Sequence, residues 1–123
     1  MIQYVKSNKI LLKPGKRDHS TKAISEFFKK LQTQESKMKG FIVMDSIEDP
    51  SESIILTFWE TKEEMDDFYQ IDNHLLSDLV EKLKPIFESI SAVQKYFQIV
   101  IATKFEDQIH DNLFFLVIFR KWV

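Results

Sequence analysis

Two stretches of this chain carry the three- and four-residue spacing of a helix, and most of its remaining apolar runs read as strands. The first stripe is Ile24, Phe27, Phe28 and Leu31, which predicts a helix starting near Asp18 and fading in the polar QTQESK segment. The second opens at Thr61, where T-x-x-E with Glu64 forms a capping box, each side chain meeting a backbone N–H that the helix leaves free. Met65, Phe68 and Tyr69 follow, then Leu76, Leu79, Leu83, Ile86 and Ile90. Asp72 reads as a second N-cap, and Pro85 is expected to break the helix near Lys84 or to start a fresh turn. Two helices cover one face of a sheet. The opposite face must find other cover.

The strands fall around these helices. Ile2 to Lys13 is rich in strand formers and stops at Pro14-Gly15. GFIVMDSIEDP and SIILTFWE, joined through Asp49-Pro50-Ser51, read as a hairpin. VQKYFQIVIATKF and NLFFLVIFRKWV, separated by EDQIHD, read as two more strands. The last of these is apolar on both sides, with Leu113, Phe115, Val117 and Phe119 facing one way and Phe114, Leu116, Ile118 and Trp122 the other. The order is β-α-β-β-α-β-β: an α+β chain with a ferredoxin-like βαββαβ core, an antiparallel sheet and an extra C-terminal strand. At 123 residues it is expected to form one domain, 1–123, and its helix-free sheet face predicts a homodimer.

Charge and composition narrow the functions. Seventeen Lys and Arg stand against nineteen Asp and Glu without long blocks, so no electrostatic footprint for nucleic acid or an anionic membrane is present. No window has the length of a membrane span, and Lys6 and Lys9 interrupt the N-terminal apolar residues where a secretory signal would be continuous. With no cysteine, disulfides and thiolate chemistry are absent, and a cytoplasmic location is the expectation. His19, His74 and His110 have no metal-ligand spacing, so no metal site is expected. Gly15 and Gly40 are the only glycines, too few for a phosphate-cradling loop. Glu63, Glu64, Asp66 and Asp67 suit a solvated helix start, where negative charge favours the dipole.

The stretch GFIVMDSIEDPSESIILTFWETKEEMDDFYQ resembles the antibiotic-biosynthesis-monooxygenase superfamily of dimeric α/β barrels. The resemblance lies in the Gly-Phe opening of one strand, the next strand ending in Trp59, and the polar Thr-x-Glu-Glu helix start behind it. It spans roughly Ile2 to Ile90. It implies paired ferredoxin-like units whose pockets serve oxygen chemistry on organic substrates or on haem. In the haem-degrading branch, a first-strand asparagine matches Asn8, whereas the catalytic tryptophan falls on Phe68 and the haem-ligating histidine on Asp78, one helical turn after His74.

Trp59, Asn8 and His74 are accordingly the candidate catalytic residues, each with a plainer alternative. Trp59 either packs in a core or interface, or walls a pocket with its N–H aimed at a bound carbonyl or peroxy group. Asn8 is a structural strand residue or the amide that steadies a developing anion. His74 is a helix-start surface residue, or a ligand or general base. The favoured expectation is oxygenation of a hydrophobic aromatic molecule without a cofactor. Haem binding and a non-catalytic small-molecule module are the alternatives. Three tyrosines and eleven phenylalanines suit an aromatic ligand and a dense core equally.

Overall fold

A computed structural model of the chain describes residues 1–34, 36–70, 73–88 and 93–103. Strand β1 (Tyr4–Leu11) leads through a turn into α1 (Arg17–Gln32); β2 (Gly40–Asp45) and β3 (Glu52–Trp59) form the hairpin; α2 (Lys62–Phe68), α3 (His74–Leu83) and β4 (Val93–Gln98) follow. Gly15 makes the first turn in a left-handed conformation, φ 73°, that a side chain would strain. The sheet order is β2-β3-β1-β4, every neighbouring pair antiparallel, which is the ferredoxin-like arrangement.

Alternation along these strands divides their residues between two faces. Lys6, Asn8 and Ile10 of β1, Ile55, Thr57 and Trp59 of β3, and Gln94 and Tyr96 of β4 share the face toward the helices. There α1 inserts its predicted stripe, and Ile24, Phe27, Phe28 and Leu31 are buried with Ile10, Leu12, Leu79, Leu83 and Ile86. Phe28 stacks on Phe41 of β2, ring centroids 3.6 Å apart. On the other face Ile2, Val5 and Phe58 form a smaller cluster, joined by Ile42, Leu56 and Ile99.

The second helical stretch is two helices. α2 starts at the Thr61 cap, whose hydroxyl accepts the Glu64 N–H at 3.1 Å, and ends at Phe68. The cap expected at Asp72 is made instead by Asn73; Asp72 itself lies outside the described residues. Asn73 Oδ1 accepts the Leu76 N–H at 3.1 Å and its Nδ2 donates to the Phe68 carbonyl at 2.7 Å, closing both helix ends at once. An aspartate, which only accepts, would do half of this. Pro85 behaves as expected, sitting in a short 3-10 turn, Lys84–Ile86, after α3. The strand expected to run from Val93 to Phe105 ends at Gln98. The final strand-like run, NLFFLVIF, lies with Ile90, His110 and Trp122 outside the described residues.

The hairpin turn has a support that its own residues do not announce. Arg17, the first residue of α1, donates from Nη2 to the carbonyls of Ser46 and Asp49, each at 2.7 Å, and of Glu52 at 3.0 Å. Thus one guanidinium binds the start of α1 to the β2–β3 turn.

Candidate functional site

A cavity of about 290 Å³ lies between the helix-facing side of the sheet and the helices. Its walls are mainly apolar: Phe27 and Phe28 of α1, Leu76, Leu79 and Leu83 of α3, and Phe68. Its polar groups are Asn8, Thr57, Tyr69 and Gln94. Asn8 and Gln94 are register partners on β1 and β4, and Thr57 is two residues along β3 from Ile55, the partner of Asn8. The polar groups therefore gather because three neighbouring strands each present a polar side chain to the same side. An apolar chamber with a few polar groups is the usual make-up of a small-molecule site.

Behind that end runs a chain of hydrogen bonds. The Trp59 indole N–H donates to Thr57 Oγ1 at 2.9 Å, and Thr57 Oγ1 shares a bond of 2.9 Å with the Tyr69 hydroxyl. An indole N–H only donates, so Thr57 spends a lone pair on Trp59 and keeps its own proton available for Tyr69. Trp59 is fully buried, 0% exposed, against the rings of Phe68 and Tyr69 at 5.2 and 6.2 Å. Burial holds the Tyr69 phenol above its ordinary pKa, outweighing the opposing hydrogen bonds from Thr57 and Asn8. Tyr69 accordingly stays a neutral hydroxyl through the physiological range.

Lys6 stands beside this chain. It is 2% exposed, opposite Thr57 on one neighbouring strand and Tyr96 on the other. Its Nζ lies 3.3 Å from the centroid of the Tyr69 ring and 5.1 Å from that of Tyr96, a cation–π arrangement on both. Desolvation lowers its pKa to about 8, opposed by the charge of Asp66 on α2. It remains protonated at neutral pH.

The three candidates from the sequence separate. Asn8 lies on the cavity. Trp59 does not line this cavity; its N–H is committed to Thr57, so any influence on a bound molecule passes through Thr57 and Tyr69. It borders a second cleft, about 390 Å³, with Lys37, Glu64 and Asn73. His74 is the first residue of α3, exposed, and lines neither. Phe68 lines the cavity, where the resemblance to haem-degrading proteins sets a tryptophan; Asp78 is exposed on α3. Thr57, Tyr69 and Lys6 were not singled out by the sequence. The signal was there: Lys6 and Asn8 are polar at alternate positions of a strand whose continuation on that side, Ile10 and Leu12, is apolar.

Among the described residues, no group of three His, Asp or Glu side chains is placed to hold a metal ion, and no helix is long and apolar enough to cross a membrane.

No protein-family model matches the sequence, and no curated protein matches it. Solved structures share its fold. One is described as a proposed antibiotic biosynthesis monooxygenase from Caulobacter crescentus CB15, 12% identical with a TM-score of 0.69, the match covering 80% of this chain and 91% of that one. Another of the same description, from Bordetella bronchiseptica, is 16% identical with a TM-score of 0.66, covering 82% and 100%. A conserved protein from Methanosarcina mazei Go1 is 14% identical with a TM-score of 0.64, covering 79% and 92%. At these identities the likeness is one of fold.

Proposed function

We propose that the chain is an oxygenase of the antibiotic-biosynthesis-monooxygenase type, acting on a compact aromatic molecule held in the cavity between sheet and helices. The observation that carries this reading is an apolar chamber lined on its polar side by Asn8, Thr57, Tyr69 and Gln94. The volume, about 290 Å³, is at the lower limit of ligand pockets, roughly 300–1,000 Å³. That favours a ligand of few rings.

In the reaction so proposed, a ring methylene that lies across the ring from a carbonyl and is conjugated to it through the flanking aryl rings, as in an anthrone, reacts through its enol form with O2. The carbon gains one oxygen atom as a new carbonyl; the other oxygen leaves as water with the two hydrogens of the methylene. The substrate supplies every electron. The site's part is to exclude water and hold the enol oxygen on Asn8 and Tyr69, where hydrogen bonds strengthen as negative charge develops. Trp59 contributes by holding Thr57 and hence Tyr69. His74 as a base would require a substrate reaching the outer start of α3.

Haem does not fit these residues. The chamber is small for a tetrapyrrole, and no histidine lines it among the described residues. A second reading, non-catalytic capture of the same kind of molecule, is favoured by the lack of a carboxylate or imidazole on the cavity wall among the described residues.

Oxygen uptake with anthrone separates the two. Turnover that falls at least tenfold in Asn8→Ala and in Tyr69→Phe is expected of the oxygenase. Binding of anthrone without oxygen uptake supports capture alone, and turnover unchanged in both variants removes these residues from the chemistry.

A further inference from the structure

Beside the cavity's polar groups the fold buries a positive charge, the ammonium of Lys6. Lys6 is almost wholly buried, and among the described residues no carboxylate comes within ion-pair distance of its Nζ. Its surroundings on the helix-facing side are the Tyr69 ring, the Tyr96 ring and Thr57, with Asp66 of α2 as the acidic group that acts on it through space. A buried ammonium is costly unless it is paired, and aromatic faces return only part of that cost. The Tyr69 ring carries this ammonium on its face while its hydroxyl, bonded to Thr57, borders the cavity. A negative charge at the end of that hydroxyl would lie close enough to Lys6 to be stabilised by it.

We propose that Lys6 is a specificity-determining residue that makes the cavity select acidic phenols and enols in their anionic form, with the Tyr69 hydroxyl donating to the ligand oxygen. The hydrogen bonds then run in one direction, from the Trp59 N–H to Thr57, from the Thr57 hydroxyl to Tyr69, and from the Tyr69 hydroxyl to the ligand. Each donor is polarised by the one before it. Lys6 acts through Tyr69 and is a positioning residue, without a bond to the ligand. The inference rests on the reading that the cavity takes a compact aromatic molecule.

The test uses 4-nitrophenol, whose absorbance reports its own ionisation, and its methyl ether, 4-nitroanisole, which has the same ring and cannot ionise. Titrated near pH 6.5, bound nitrophenol is expected to show the phenolate band. Its apparent pKa should fall by about one unit, corresponding to roughly tenfold preference for the anion, as a nearby opposite charge produces. Nitroanisole should bind more weakly, by about threefold at this pH, where most of the free nitrophenol is still protonated. In Lys6→Met, of similar length and uncharged, both probes should bind and the phenolate band should fall to that of free nitrophenol at the same pH. Tyr69→Phe should retain ether binding and lose most of the preference. Nitrophenol that binds protonated, or no more tightly than the ether, overturns the proposal and leaves the cavity reading standing. A phenolate preference undiminished in Lys6→Met overturns the role of Lys6. Failure of both probes to bind the wild-type protein overturns the cavity reading and this proposal together. Should Lys6→Met not fold, the wild-type spectrum and the phenol-to-ether ratio decide.

Discussion

Lys6 shows how a single strand residue can escape a reading of pattern. In sequence it interrupts an apolar run and counts against a signal segment; in the fold its ammonium is buried on the Tyr69 ring. What was legible was the polarity of the position, as it was for Asn8. What was not legible was its neighbour, since Tyr69 comes from a helix end more than sixty positions away and only the folded chain brings the two together. The depressed pKa of Lys6 has a consequence for stability. Its folded value, about 8, lies below the unfolded 10.5, so the unfolded chain binds more protons between them and Lys6 makes stability rise with pH over that window. Tyr69, whose pKa is raised, acts in the opposite direction only as unfolded tyrosine begins to ionise near pH 10. Urea denaturation at pH 7.5 and 9.5 should therefore show the wild type gaining roughly 1–2 kcal/mol relative to Lys6→Met over that interval. An equal change in both proteins would assign the lysine an ordinary pKa.

At the scale of elements, the sequence was most readable where one residue acts on its own neighbourhood. The α1 stripe, the Thr61 cap, the Asp49-Pro50-Ser51 turn and the turn at Pro85 all follow from local rules, and all are where those rules set them. The division between α2 and α3 was legible as a second N-cap, set one residue early at Asp72; less readable were the paired hydrogen bonds of Asn73 that make it. Arg17 was invisible for a different reason. Its partners are backbone carbonyls, which every sequence possesses. Since Nη2 serves the three carbonyls while Nε lies 3.9 Å from Asp45 Oδ1, a two-sided arrangement that a single ammonium nitrogen cannot reproduce, Arg17→Lys keeps the charge and loses the geometry. The expected cost is about 1–3 kcal/mol in thermal or urea denaturation, with faster amide hydrogen exchange confined to Ser46–Glu52. Uniformly faster exchange throughout the sheet would contradict a local clamp.

For the whole molecule, the ferredoxin-like order was readable because the alternation of strand and helix leaves few topologies, and the chemistry was not, because many activities share this fold. Association remains a proposal. On the side of the sheet away from the helices, Met44, Val93 and Phe97 are 42, 49 and 51% exposed, and they flank the Ile2, Val5 and Phe58 cluster. We expect a homodimer built on this face. Light scattering should give twice the chain mass, and Phe97→Glu should shift it to that of one chain while the protein stays folded. A single-chain mass for the unaltered protein would refute the pairing.

The pleat also makes adjacent letters of the sequence answer to different demands. Val5 and Lys6, or Phe58 and Trp59, are chain neighbours separated by the thickness of a sheet. A lineage of such proteins is free to change what it captures on one side without disturbing what it meets on the other, by altering every second residue of the same strand.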